Sequence, residues 1–210
     1  MLIAISQRND KNQYGIFVDS LESNYVEYLE RFGASVIPIP NSPRNLESYF
    51  EEIPIQGLVL SGGNDIGDSK LRDNLERKML ELAIEKKLPV LGICRGMQFI
   101  NDYFGGKLEK VQKHVRVDHK VEFSDDKIKE FFGETFKTNS YHNYGINDSG
   151  LSPEFRVFAR ASDGVIEGLY HPKYCIAGIQ WHPERDSPDK KINAKIINAF
   201  LDRELYWKPK

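Results

Sequence analysis

The sequence predicts an α/β fold, a mostly parallel sheet flanked by helices with an antiparallel ribbon added to it. Three observations predict it. Short apolar runs at Leu2–Ser6, Ala34–Ile39, Gly57–Leu60 and Leu88–Ile93 have the length and residue types of buried strands. Segments with apolar residues at helical spacing lie between them, and such alternation makes βαβ units and a parallel sheet. Beyond Gly105-Gly106 the alternation gives way to closely spaced strand-like segments broken by turn residues.

Taken in order, Leu2–Ser6 is a buried-type strand and the polar stretch from Gln7 to Asn12 reads as a loop. From Leu21 to Phe32 a helix places Leu21, Tyr25, Tyr28, Leu29 and Phe32 on one face, and Gly33 stops it. A strand follows over Ala34–Ile39, closed by Pro38 and Pro40, and a short helix is expected around Leu46 to Phe50. Gly57–Leu60 is a third strand, running into Ser61-Gly62-Gly63-Asn64-Asp65. Between Lys70 and Lys87, Leu71, Leu75, Met79, Leu82 and Ala83 recur at helical intervals. Strands are expected over 113–123, 134–138, 154–160, 164–170 and 174–181, with turns at Asp125-Asp126, Gly133, Asp148-Ser149-Gly150 and Asp163-Gly164. A closing helix runs from about Pro188 to Leu201 with Ile192, Ile196, Ile197 and Phe200 inward. No internal repeat or linker interrupts this, so residues 1–210 read as one domain.

Composition narrows the function classes. A formal net charge of −2 with the two signs interspersed leaves no basic stripe for nucleic acid and no polybasic segment for a membrane surface. No apolar run approaches a membrane span. Met1 to Ser6 lacks a basic flank and is cut short by Gln7-Arg8-Asn9-Asp10, so it reads as a strand and not as a signal peptide. Two cysteines make no disulfide framework, and a reducing cytoplasm is the expectation.

One stretch organises the chain. Leu91-Gly92-Ile93-Cys94-Arg95-Gly96-Met97-Gln98 ends an apolar strand on Gly-x-Cys-x-Gly and turns directly into a helix, the cysteine relative of a nucleophile elbow. Cys94 then sits at the positive end of that helix, where a thiolate is favoured. The competing reading is an inert cysteine between two packing glycines. A second motif, Ile176-Ala177-Gly178-Ile179-Gln180-Trp181-His182-Pro183-Glu184, ends a strand on His-Pro-Glu. Residues two apart on extended chain project to the same side, so Glu184 can orient the His182 imidazole and leave its other nitrogen to a nucleophile. The alternative there is a surface ion pair. Cys175 reads as a core residue, Trp181 as packing beside the triad, and His114 and His119 as exposed members of the ribbon. The Arg95 side chain can tie the elbow to Asp73 or Glu76.

Together, Ser61-Gly62-Gly63-Asn64-Asp65, Arg72-Asp73, Gly92 to Gln98, Asn139-Ser140-Tyr141-His142 and Gly178 to Glu184 resemble a class I glutamine amidotransferase domain, more narrowly its γ-glutamyl hydrolase (peptidase C26-like) branch. The motifs stand in the family's order, and the resemblance covers nearly the whole chain. It implies a three-layer, flavodoxin- or Rossmann-like architecture and a Cys94–His182–Glu184 triad. The implied oxyanion hole comprises the backbone N–H groups of Gly63 and Arg95. Gly62, Gln98, Asn139, Ser140, Tyr141 and His142 would bind the glutamyl group.

The implied reaction is hydrolysis of a small-molecule γ-glutamyl amide through a thioester, releasing glutamate. It needs no cofactor, and no metal-ligand spacing is present. A homo-oligomer is compatible with this, and an obligate synthetase partner is not expected. The segment from Ser61 to Asp68 reaches the next helix without the longer Pro/Tyr-containing loop common in the branch. That shortness opens the leaving-group side and counts against simple carry-over of γ-glutamyl-γ-aminobutyrate. The resemblance to small branch members acting on γ-glutamyl-CDP-amidate in capsule modification implies a nucleotide phosphoramidate instead, with no residue that reads out cytidine or phosphate. Two alternatives stay open: a glutaminase subunit delivering ammonia to a separate synthetase, and a non-catalytic binding or stress protein on the same scaffold.

Overall fold

The computed structural model describes residues 1–124 and 126–209. The first half alternates as expected: β1 (Leu2–Ser6), β2 (Arg8–Lys11), β3 (Phe17–Ser20), α1 (Ser23–Arg31), β4 (Ser35–Ile39), α2 (Leu46–Glu52), β5 (Gly57–Leu60), α3 (Lys70–Glu85), β6 (Val90–Ile93) and α4 (Arg95–Tyr103). The second half adds β7 (Glu109–Lys110), β8 (Val115–Phe123), α5 (Asp126–Phe132), β9 (Thr135–Tyr141), β10 (Tyr144–Gly145), β11 (Arg156–Ala161), β12 (Ile166–Tyr170), β13 (Ile176–Ile179) and α6 (Lys190–Leu201). A 3₁₀ turn, Leu205–Trp207, follows.

Nine strands form one sheet in the order β4-β1-β5-β6-β13-β12-β11-β8-β9. Strands β4 through β13 in that order pair in parallel, and the remainder are antiparallel. The ribbon is thus continuous with the main sheet. Alternation along the strands divides two apolar layers: Ile3, Ile5 and Val59 face α1 and α6, whereas Ala4, Leu58 and Leu60 face α2, α3 and α4. That makes three layers, helix–sheet–helix.

Order reverses between β1 and β5, because β4 lies on one side of β1 and β5 on the other. Ligands on open α/β sheets gather outside the carboxyl ends of the strands at such a switch. Ser6, Ser61 and Cys94 lie at the carboxyl ends of β1, β5 and β6, and Gln180 follows β13 alongside.

Helix boundaries follow from caps. Asn45, Ser69 and Asp189 accept from Ser48, Arg72 and Ile192 N–H groups at the starts of α2, α3 and α6. One glycine sets a close approach. A Cβ on Gly96 would stand 2.0 Å from the Leu60 carbonyl oxygen, so α4 packs onto β5 only through a bare backbone. Gly96→Ala should therefore cost about 1–3 kcal/mol, read as a lowered urea midpoint. An unchanged midpoint would show that α4 can shift freely.

Several expectations need correction. Gln7 to Asn12 is not a loop: Arg8–Lys11 pairs with Phe17–Ser20 as a small hairpin. β2 is polar throughout and β3, with its apolar residues side by side at Phe17 and Val18, is wholly exposed, so no apolar alternation announced it. Of the expected Asp125-Asp126 turn, Asp125 lies outside the described residues, and Asp126 opens α5, which buries Ile128 and Phe132. His114 is buried and His119 largely so, because both turn inward onto Glu167. Cys175 stands just outside β13 and is only half-buried.

Candidate active site

Strand register brings three chain segments to one place. Leu60 pairs with Gly92 and Ile93 with Ile179, so the residues after β5, β6 and β13 emerge side by side. Cys94 occupies the β6–α4 turn with φ +53° and ψ −108°, a conformation uncommon for a residue with a side chain. Its N–H is tied to the Ile179 carbonyl at 2.8 Å, and Gln180 Nε2 lies 3.6 Å from its Sγ. This strained turn is the elbow geometry.

His182 Nδ1 lies 2.6 Å from Glu184 Oε1, and both side chains are almost wholly buried. Burial alone would lower the His182 pKa, but the Glu184 carboxylate and the Cys94 sulfur overcome it and raise it to about 10. An imidazolium is therefore the favoured form between carboxylate and sulfur. The His182 backbone is clamped from across the sheet by Asn139, which accepts from the His182 N–H at 2.9 Å and donates to the His182 carbonyl at 2.8 Å.

Opposite the sulfur, Gly62 packs so tightly that an added Cβ would meet His182 Cε1 at 2.9 Å. Its N–H donates to the Tyr25 hydroxyl at 2.8 Å. Gly63, with φ +112°, lines the cavity beside Cys94. Arg95 is the first residue of α4, where backbone N–H groups lack intrahelical partners.

Beneath the elbow runs a buried ionic network. Glu76 binds Arg72 at 2.9 Å through one oxygen and Arg95 through the other, and Arg95 also binds Asp73. Arg72 Nη2 donates to the Ser61 and Gly62 carbonyls at 2.8 and 3.0 Å. Burial works to raise the Glu76 pKa, and the two guanidinium groups hold it below the usual carboxylate range. The network joins the Ser61–Gly62 turn to the start of α4, so both sides of the cavity are set by one set of charges.

A cavity of about 190 Å³ opens at Cys94, lined by Gly63, Arg95, Gln98, Tyr141, His142 and His182 together with Arg8 and Arg185. Next to it lies a second cavity of about 520 Å³, which shares Asp65, Gln98 and Tyr144 and is bounded by Asp68, Asp102 and Lys107. Of the residues expected to hold a ligand, Gln98, Tyr141 and His142 line the first cavity. Asn139 and Ser140 do not: Asn139 is committed to His182, and Ser140 donates to the His114 carbonyl. Arg8 and Arg185 were not anticipated. Arg8 arrives on the unforeseen hairpin, and Arg185 lies over the Tyr141 ring while pairing with Glu22.

Residues 1–184 match the peptidase C26 family. The chain belongs to that family. A γ-glutamyl-CDP-amidate hydrolase of Campylobacter jejuni is 36% identical over 156 residues, covering 71% of this chain and 72% of the relative. An anthranilate synthase component 2 of Cyanophora paradoxa is 29% identical over 189 residues, 87% of this chain and 95% of that one. Among solved structures, a glutamine amidotransferase from Thermotoga maritima superposes with a TM-score of 0.64 at 18% identity, over 96% of this chain and 82% of the other. This peptidase C26 protein is a hydrolase acting on amide bonds, on a class I glutamine amidotransferase fold. Among the described residues no helix is long and apolar enough to cross a membrane.

Proposed function

We propose that this peptidase C26 protein hydrolyses a γ-glutamyl amide through Cys94, His182 and Glu184. The observation that carries the reading is the 2.6 Å Glu184–His182 contact, in a cavity that His182 shares with a cysteine on a strained elbow. Cys94 Sγ attacks the γ-carbonyl, and the N–H groups of Gly63 and Arg95 receive the oxyanion; one such donor is typically worth about 3 kcal/mol. The His182 imidazolium gives its proton to the leaving nitrogen as the C–N bond breaks. Water then attacks the thioester while His182 takes its proton, and glutamate leaves as the sulfur is restored.

The leaving group we assign is a nucleotide phosphoramidate. Support comes from the 36% identical relative and from the wide cavity next to the one that Cys94 lines. Arg8 and Arg185 line the cavity beside the sulfur, paired with Asp10 and Glu22, and a phosphate there would compete with those carboxylates for them. Asp65, Asp68 and Asp102 offer acceptors of the kind that the cytosine amine donates to. Glutamate release from γ-glutamyl-CDP-amidate should exceed that from γ-glutamyl-γ-aminobutyrate by at least about tenfold in kcat/KM, the equivalent of roughly 1.4 kcal/mol. Turnover of neither compound would remove the assignment. The anthranilate synthase relative supports a second reading, ammonia delivery to a separate synthetase. Glutamine hydrolysis that appeared only on adding such a partner would establish it.

Glu184→Gln tests the orienting role. Without the carboxylate, kcat should fall roughly 10²- to 10⁴-fold. The pH dependence of stability should change too. A histidine raised from 6.5 to about 10 contributes stability that is whole below pH 6.5 and is lost as pH rises through 10. The decline of unfolding free energy across that window should be shallower in Glu184→Gln than in the parent. Equal slopes would show that Glu184 does not set the histidine's charge.

A further inference from the structure

Behind the Tyr141–Tyr144 wall lies a second cluster that the proposed reaction does not use. Glu167, on β12, is fully buried, and three imidazoles surround it. His114 Nδ1 and His142 Nε2 each lie 3.5 Å from Oε1, and His119 Nε2 lies 3.6 Å from Oε2. Neither Glu167 oxygen, nor His119 Nε2, nor His142 Nε2 has a hydrogen-bond partner among the described residues, although all four atoms are buried. Buried polar atoms are rarely left so.

The outer contacts of two rings fix where their lone pairs point. His142 Nδ1 lies 2.8 Å from the Tyr144 carbonyl, which can only accept, so Nδ1 carries the proton and Nε2 of the neutral ring bears a lone pair toward the carboxylate. His114 Nε2 lies 2.9 Å from Asp163 Oδ2, so in the neutral ring that nitrogen carries the proton and the Nδ1 lone pair turns inward. Ser140 Oγ also lies 3.4 Å from that Nδ1, and this hydroxyl gives its proton to the His114 carbonyl at 2.7 Å. With both rings neutral, two imidazole lone pairs converge on a buried carboxylate. Such an arrangement repels itself unless a positive charge lies among the three.

Separation favours a metal ion as that charge. Zinc lies about 2.0–2.2 Å from histidine nitrogen and carboxylate oxygen, which places tetrahedral ligand atoms roughly 3.3–3.5 Å apart. The observed 3.5–3.6 Å approaches match that spacing and are long for hydrogen bonds. The ligand atoms of His114, His119 and Glu167 all lie within 4.8 Å of one another. Asp163 on the outer nitrogen of His114 is the carboxylate–histidine support usual for metal-ligating histidines.

We infer that His114, His119 and Glu167 form a binding site for one zinc-class divalent ion, with His142 as the nearest fourth donor. The ion would tie the start of β8 to β12 under the wall of the Cys94 cavity. The sequence offered no ligand motif because the donors stand at positions 114, 119, 142 and 167.

The test uses chelator-treated Cys94→Ala protein, so that the sulfur beside His182 cannot take up metal. Calorimetric titration with Zn²⁺ at neutral pH should give one equivalent bound and a raised thermal midpoint. Co²⁺ in its place should show the visible absorption of a four-coordinate nitrogen–oxygen site. Added to that background, Asp163→Asn, a half-exposed change, should weaken binding about 10- to 100-fold. His119→Ala should weaken it further. Failure to bind one equivalent, or equal affinity in both variants, would overturn the site and leave protons as the charge among the rings.

Discussion

Cys94→Ala is expected to reduce glutamate release from γ-glutamyl amides by roughly 10⁴- to 10⁶-fold, with the folded protein intact. Removing the sulfur removes the covalent intermediate, and water must then attack the amide unaided. The residual rate comes from binding and from the N–H groups at Gly63 and Arg95. The expected loss lies in kcat with KM little changed, because the glutamyl group is held by atoms other than the sulfur. Stopped glutamate assays on parent and variant check this, and circular dichroism controls for folding. Activity within tenfold of the parent would mean that Cys94 is not the nucleophile.

Glu76→Leu is expected to give the largest loss of stability. Arg72 and Arg95 are essentially inaccessible to water, and Glu76 bridges them. Without the carboxylate two guanidinium groups face each other in a dry interior, and breaking such a buried pair typically costs about 3–5 kcal/mol. For a chain of this size that corresponds to a thermal midpoint lowered by roughly 6–20 °C. Arg95 would keep Asp73, and Arg72 would keep the Ser61 and Gly62 carbonyls. The damage therefore concentrates where the two arginines meet. Since those arginines hold both the Ser61–Gly62 turn and the start of α4, kcat should fall with stability. Asp73→Asn should cost less on both counts, because that carboxylate reaches solvent. A Glu76→Leu protein as stable as the parent would show that packing, and not charge pairing, sets this layer.

Features written locally were readable in advance. Gly92 to Gln98 and Gly178 to Glu184 each hold a strand end and its chemistry within a few residues, and parallel pairing of β6 with β13 brings them together. The apolar strands and the α1 and α6 stripes were legible for the same reason, since burial leaves a periodic trace, whereas α3 buries Arg72, Glu76 and Leu80 and leaves Leu71, counted in its apolar repeat, exposed. What stayed hidden depends on long-range approach. Arg8 reaches the cavity on an exposed hairpin whose pairing leaves no alternating apolar pattern. Asn139 belongs to the motif but serves the His182 backbone, a distinction that only the fold reveals. The histidines of the ribbon sit among alternating charged residues and look solvated until β12 places Glu167 beneath them.

The most direct test of the nucleophile is covalent. Incubation with a glutamine-mimicking diazoketone, followed by intact-mass and peptide mass spectrometry, should give one adduct on Cys94. An excess of γ-glutamyl substrate should slow its formation. An unmodified Cys94, or labelling at the same rate with the substrate present, would contradict a site in which that sulfur receives the glutamyl group.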